Sequence, residues 1–353
     1  MRLGLSLAFC LSLAAQDSRF NVRSRLVLVP VTVSRADGHS VDGLDSADFL
    51  VLDDHQERKV LVDTISTGVA PIALAIVVQS SGIATPVLEK VRKIGAMIQP
   101  LITGERGCAA VASFAESVTW LQECTSNSIA IERALRAIQP GQHSEAAMLD
   151  AVSQAIERLR ARPNSRRVLL LVSESRDRGS KADLKTATIA AQTADIAVYA
   201  FTYSAYKTAF TSKAPLTAKP AKKSPQTTSE SEAMHTANGA PPSSTNPYSP
   251  KLVPANQSVN VPAILMELLR LGEVNTTQAL AAATGGTTIP FTTLKGLESA
   301  IQKLSADLHS QYFLSFAPPQ DAPPGFPTLE VRLTRPGTFH IRARPGYWTA
   351  DTP

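Results

Sequence analysis

Three apolar runs constrain this chain more than any other feature of it. They are Ile72 to Val78 in "PIALAIVVQSSGIA", Val168 to Val172 in "RRVLLLVSES" and the start of "IAVYAFTY". Strands buried on both faces of a parallel sheet read as continuous apolar runs of this length rather than as an alternation. Stretches with helical spacing lie between them, and strand–helix alternation predicts a parallel sheet sandwiched by helices. The expected class is α/β: a doubly wound, mostly parallel, Rossmann-type sheet. The first run stops at Gln79-Ser80-Ser81-Gly82. A small polar loop at a strand's carboxyl end is where open α/β sheets place ligand sites.

The helices can be placed from their start signals. Thr85 with Pro86 behind it reads as an N-cap, and Val87, Leu88, Val91, Ile94 and Met97 then recur at helical spacing. A second helix starts near Asn127-Ser128 and ends before Pro140. A third runs from Ser144 or Glu145 to about Arg160. Ser180 with Asp183 reads as a capping box opening a helix through Ala194. Further helical spacing covers Ala263 to Leu271, Thr277 to Ala283 and Leu294 to Leu308. "CAAVASFAESVTWLQEC" reads as two strands about a turn at Ala115-Glu116-Ser117, an antiparallel edge to the sheet. If Phe114 faces Val118, Cys108 stands opposite Cys124 and a cross-strand disulfide is sterically possible. A one-residue slip breaks that match and leaves two half-buried thiols.

Both ends of the chain are strand-like. "RLVLVPVTVSR", "DFLVLDD" and "RKVLVDTI" precede the α/β stretch; "SQYFLSFAP", "TLEVRLT" and "TFHIRARPGYW" close the chain. Three short strands bury too little to stand alone. The two sets together predict one small composite β-sandwich with the α/β domain inserted between its halves. The organisation expected is a signal peptide over 1–15, N-terminal sandwich strands over 20–67, and the first part of the α/β domain over 70–204. A disordered Pro/Ser/Thr/Lys-rich insertion over 205–259 follows. The last α/β helices are expected over 260–308 and the C-terminal sandwich strands over 309–350.

The first residues, "MRLGLSLAFCLSLAAQDS", have a basic start, an apolar stretch and small residues before Gln16, the pattern of a secretory signal peptide. The chain is therefore expected to be exported, periplasmic or secreted, with no membrane span once the signal is removed. At 44% hydrophobic residues and net charge +5 it can bury a core and is only mildly basic. No aromatic-plus-basic stripe accompanies the charge, so nucleic acid is not an expected partner. The histidines His39, His55, His143, His235, His309 and His340 are spread through different elements and read as surface or turn residues.

The order of these pieces resembles the bacterial secreted proteins that carry a von Willebrand factor type A-related domain. The matching pieces are "LVLVPVTVSRADGHSVDGLDSADFLVLDD", "PIALAIVVQSSGIA", "VLLLVSESRDRGSKADL", "LAAATGG", "SQYFLSFAP" and "RARPGYW". The resemblance implies a metal-ion-dependent adhesion site at the carboxyl ends of the strands. That site holds Mg²⁺ through Asp-x-Ser-x-Ser on a first loop, a Thr on a second and an Asp on a third. Here Gln79 stands at the first Asp position, Ser81 is kept, and Ile83 replaces the second Ser. Ala146 falls at the Thr position with Ser144 nearby, and Glu174 replaces the last Asp. The pattern predicts a degenerate site without tight Mg²⁺ binding. Ser81, Ser144 and Glu174 are the only residues left to ligate.

The candidate ligand face is therefore Gln79, Ser80, Ser81, Ile83, Ser144 and Glu174, with no cofactor expected. The charged loop "SESRDRGSKAD" reads either as a rim around that face or as a solvated strand-to-helix loop. Ser80-Ser81-Gly82 is not a Gly-x-Ser-x-Gly nucleophile elbow, and no histidine is spaced to serve it as a base. The function expected is a non-catalytic binding module for an unidentified protein partner. The alternatives are a structural component of an envelope or secreted assembly and, more remotely, a hydrolase.

Overall fold

The computed structural model describes residues 26–63, 70–204, 275–319 and 324–349. The expected signal peptide, the 205–259 insertion and the helix over Ala263 to Leu271 lie outside the described residues.

The three apolar runs form neighbouring strands. The sheet contains β5 (Ile72–Gln79), β6 (Cys108–Phe114), β7 (Val118–Thr125), β8 (Arg166–Ser173), β9 (Ile196–Thr202) and β10 (Thr288–Pro290). Its order is β7-β6-β5-β8-β9-β10, parallel throughout except for the antiparallel edge strand β7. Every residue of β5 is buried because both faces are covered. Side chains alternate across a strand, so Leu74, Ile76 and Val78 pack to one side and Ala73, Ala75 and Val77 to the other. Against the first side lie α1 (Thr85–Val91), α2 (Gly95–Ile98), α3 (Ser128–Ala137) and α7 (Leu294–His309). Against the alanine side lie α4 (Met148–Arg160), α5 (Leu184–Thr193) and, through Leu280, α6 (Thr276–Ala283).

Thr85 is the first residue of α1 rather than its N-cap, its Oγ1 donating to the Gly82 carbonyl at 2.9 Å, and two helices differ in extent. The helix expected to continue from Thr85 past Met97 is broken after Val91, and a π turn over Gln99–Thr103 follows α2. A Cβ on Gly95 would come within 2.7 Å of the Glu132 Cα, so α2 meets α3 at a distance only glycine permits. The second difference is that α4 starts at Met148, three or four residues later than expected, for a reason found in the loops below.

The chain ends do combine. One antiparallel sheet has the order β13-β1-β11-β4, the other β12-β2-β3, where β1 is Val27–Arg35, β2 Phe49–Asp53, β3 Gln56–Arg58 and β4 Leu61–Asp63. The C-terminal strands are β11 (Tyr312–Phe316), β12 (Leu329–Leu333) and β13 (Phe339–Arg342). Each sheet thus mixes strands from both ends of the chain. The run "RKVLVDTI" is not one strand. Arg58 pairs with Val51 in one sheet while Asp63 pairs with Phe313 in the other, so the chain crosses between sheets at Lys59-Val60. Val29, Val31, Val33, Val51 and Leu314 fill the space between the sheets.

A polar network joins the sandwich to the α/β domain. Tyr199 Oη donates to Asp307 Oδ2 at 2.6 Å, and Thr32 Oγ1 donates to Asp307 Oδ1 at 3.0 Å. Arg342 forms an ion pair with the same carboxylate and donates to Thr32 Oγ1 and to the Gly285 carbonyl, both at 3.0 Å. Burial, and then the Asp307 charge, push the Tyr199 phenol well above its ordinary value.

Candidate functional site

β5 and β8 are adjacent, and the helices that follow them leave to opposite faces of the sheet. This is the topological switch point, where a crevice opens at the carboxyl ends of the strands. Gln79 ends β5 beside that crevice and is 1% exposed. Its Nε2 donates to Ser81 Oγ at 2.8 Å, and its Oε1 accepts from the Glu174 backbone N–H at 2.8 Å. The amide therefore ties the loop after β5 to the loop after β8. Ser81 is fully buried. Ser80 gives both its N–H and its Oγ to the Phe114 carbonyl, at 2.7 and 3.2 Å.

The loop before α4 closes over the first. Gly82 N donates to the His143 carbonyl at 2.7 Å and Gly141 N to the Ser80 carbonyl at 2.6 Å. A Cβ on Gly82 would stand 3.2–3.3 Å from three carbonyl oxygens of residues 141–143, so glycine lets the two loops meet. Ala146 exchanges backbone hydrogen bonds with Arg178 at 2.8 and 3.0 Å, and Ala147 N donates to the Ala115 carbonyl at 2.7 Å. Ala146 and Ala147 are thus held as a bridge between loops, which is why α4 begins only at Met148.

α4 has no capping side chain of its own. The loop after β8 supplies one. Leu149 N donates to Asp177 Oδ1 at 3.0 Å and to Ser180 Oγ at 2.9 Å, and Asp150 N donates to Ser180 Oγ at 3.2 Å. Ser180 is therefore not part of a capping box for α5. Asp183 alone caps α5, accepting from Thr186 N at 2.9 Å. Part of the charged loop is structural in this specific sense: it completes a helix it does not belong to.

The remaining polar groups sit beside Glu174. Its Oε2 lies 3.2 Å from Arg178 Nη2 without aligned hydrogen-bond geometry. Tyr203 is 5% exposed, and its hydroxyl has no hydrogen-bond partner among the described residues. Burial pushes its phenol well up; the Glu174 charge adds to this and Arg178 opposes it. Sequence reasoning missed Tyr203, which follows the third apolar run and reads there as ordinary core.

No protein-family model matches the chain, and no curated protein matches it. Solved structures do. A von Willebrand factor type A protein from Catenulispora acidiphila is 11% identical, over 82% of this chain and 52% of its own, at TM-score 0.43. The vWF domain of the type V pili tip protein Mfa5 from Porphyromonas gingivalis is 13% identical, over 31% of this chain and 39% of its own, at TM-score 0.27. BatB from Bacteroides thetaiotaomicron is 16% identical, over 37% of this chain and 66% of its own, at TM-score 0.33. The chain thus spans less than two thirds of the length of each. The sheet order with its antiparallel edge strand and helices on both faces is what places the fold. The central domain is a doubly wound, mostly parallel α/β domain, the class the sequence predicts.

Within this α/β domain the six candidate residues are not equally placed. Gln79, Ser80 and Ser81 are buried and bonded to the loops around them. Ile83 and Glu174 are half-buried, and Ser144 is exposed and makes no hydrogen bond among the described residues. Five of the six histidines are exposed, and His235 lies outside the described residues. One of the five has company. Ligand atoms of Glu116, His143 and Glu145 all lie within 4.8 Å of one another on the same loops, with His143 Nε2 3.5 Å from Glu116 Oε1. Their separation along the chain hid this group from a spacing argument.

At the sheet edge Cys108 and Cys124 form a disulfide with Cα atoms 5.2 Å apart. The register starts as expected, with Phe114 opposite Val118, but it shifts twice, so Ala109 faces Thr125. The cysteines are bonded across an irregular ladder rather than standing directly opposite. No helix among the described residues is long and apolar enough to cross a membrane.

Proposed function

We propose that this chain is an exported, non-catalytic binding module whose type A-like loop face contacts a protein partner without an obligatory metal ion. The Gln79 amide carries the reading. A Mg²⁺ ion needs hard oxygen ligands in octahedral array and negative charge to offset its dehydration. Here the amide oxygen accepts from Glu174 N–H and the Ser81 hydroxyl takes the amide N–H. The single carboxylate among the six candidate residues, Glu174, faces the Arg178 guanidinium. Ile83 offers no ligand atom. The donor set does not fit magnesium, and neutral hydrogen bonds close the crevice in its place. What the face presents outward is Ile83, Ser144, Glu145 and Arg178.

The test is capture from periplasmic or secreted extract by the full chain, with EDTA and with added Mg²⁺. Ser144→Arg alters the exposed face, and Lys303→Glu alters an exposed position of α7. Capture that survives EDTA, is lost in Ser144→Arg and is kept in Lys303→Glu is the expected result. Capture that collapses in EDTA and returns with Mg²⁺ refutes the metal-free reading. Running the series on His143→Ala separates any effect of the Glu116–His143–Glu145 group from the Gln79 crevice.

A further inference from the structure

At the opposite end of the sheet, where the sandwich meets the amino ends of β8 and β9, lies a cavity of about 380 Å³. We propose that it binds a small organic carboxylate with an apolar body and a hydrogen-bond donor, the chemistry of an N-acylated apolar amino acid. Cavities of this size between domains, apolar with a few convergent polar groups, are the usual form of a small-molecule site.

The walls define the ligand. Leu28 and Pro30 of β1 and Phe313 of β11 line the sandwich side, and Ala197 of β9 faces them from the α/β side. These surfaces suit an apolar body. Arg166, Arg167 and Arg344 also line the cavity, against a single acidic residue, Asp195. Arg344 is 5% exposed and pairs with Asp195 at 3.2 Å. The Arg166 guanidinium lies 4.6 Å above the Phe313 ring and donates to the Leu308 carbonyl at 2.8 Å and Gln311 Oε1 at 3.0 Å. Its partners are neutral, and burial pulls its pKa down to about 10, with Tyr199 and Asp307 opposing the shift. It stays charged at neutral pH, in surroundings that an anion would improve. Arg167, half-buried, has no partner among the described residues. Two guanidinium charges thus line the cavity without a carboxylate paired to them.

The donor requirement comes from a different residue. Gln192 lines the cavity and is 3% exposed. Its Nε2 donates to the Ala283 carbonyl at 2.6 Å, which fixes the amide's orientation. Its Oε1 is buried with no hydrogen-bond partner among the described residues. A buried acceptor without a donor is costly, and a ligand N–H or O–H would satisfy it.

The probes are N-acetyl-L-phenylalanine and its neutral amide, N-acetyl-L-phenylalaninamide, titrated into the full chain by calorimetry and by NMR of the side-chain amides. The acid is expected to bind at least tenfold more tightly than the amide, because a charge-assisted bond to guanidinium is lost in the amide. Arg167→Gln is expected to weaken the acid at least tenfold and leave the amide unchanged, and the Gln192 side-chain signals should shift on binding. Equal affinity for acid and amide, no binding of either, or binding that leaves the Gln192 signals unmoved overturns the proposal. The acid–amide comparison needs no variant, so it decides the matter even if Arg167→Gln does not fold. Failure here leaves the reading of the loop face intact, since the two sites lie at opposite ends of the sheet.

Discussion

Replacing Gln79 by Leu keeps an apolar-compatible volume and removes both bonds that tie the loop after β5 to the loop after β8. Gln79 is 1% exposed and Ser81 fully buried, so water cannot take over the Ser81 contact. The Glu174 N–H belongs to a half-buried residue and can be partly hydrated. A buried group left unpaired costs about 1–3 kcal/mol and a hydrogen bond contributes about 1 kcal/mol net, so the expected loss is about 2–4 kcal/mol. Urea unfolding at neutral pH, followed by far-ultraviolet circular dichroism, reads it, because all the described α-helices lie in the α/β domain. Gln79→Glu adds a sign. Burial and the nearby Glu174 carboxylate raise the pKa of a carboxyl placed there above its unfolded value of about 4.3. The folded variant then holds its proton more tightly than the unfolded chain. Its stability relative to the parent is greatest below that value and falls as pH rises through the raised one. The penalty should therefore be larger at about pH 7 than at about pH 4. A loss under about 0.5 kcal/mol for Gln79→Leu, or a penalty for Gln79→Glu that is flat with pH, refutes the claim that a neutral amide closes the crevice.

Other consequences are as direct. Removing the Cys108–Cys124 crosslink, whose partners are 16 residues apart, should cost about 3 kcal/mol, read as a lowered urea midpoint in the double serine variant. Unchanged stability would show that the hairpin at the sheet edge does not need it. Asp307→Ala leaves Arg342 without its ion-pair partner at the seam; allowing for partial solvent access, about 2–4 kcal/mol should be lost, measured in the same way. Tyr199, Tyr203, Tyr312 and Tyr347 all have phenols raised by burial first. Each contributes stability that is fully present below the unfolded value of about 10 and is lost as pH rises beyond it. Phenolate absorbance in the folded chain should therefore lag far behind that of the urea-unfolded chain; coincident titrations would refute the burial of these hydroxyls.

Much of the fold was legible because it depends on patterns that act over short stretches. Ile72 to Val78 could be nothing but a strand covered on both sides, and Asn127 caps α3 as its position before an amphipathic run suggests. The composite sandwich followed from too few strands at either end. What sequence could not reveal was which partner each residue meets across the fold. Gly95 opens α2 where α3 passes too close for a Cβ. Ser180 looks like part of a local cap, yet its hydroxyl serves α4, some thirty residues earlier. The candidate site shows the same division. That Gln79 and Ile83 stand where ligands are expected is readable; that the amide reaches both Ser81 and Glu174 is not.

These pairings also settle where charge remains available. At the carboxyl ends of the strands, Glu174, the one carboxylate of the candidate face, is opposed by Arg178, and Asp177 is engaged in capping α4. That end is closed largely by neutral bonds, so under the proposed function recognition there would fall to shape and to the few exposed side chains around Ile83 and Ser144. At the amino ends, only Arg344 of the three cavity arginines is paired with a carboxylate, and Gln192 keeps a buried acceptor unpaired beside them. An α/β sheet ordinarily concentrates its ligand chemistry at the carboxyl ends. Among the described residues, two arginines without a paired carboxylate line a cavity at the other end, at the seam where strands from both ends of the described chain pack as a sandwich against the α/β domain.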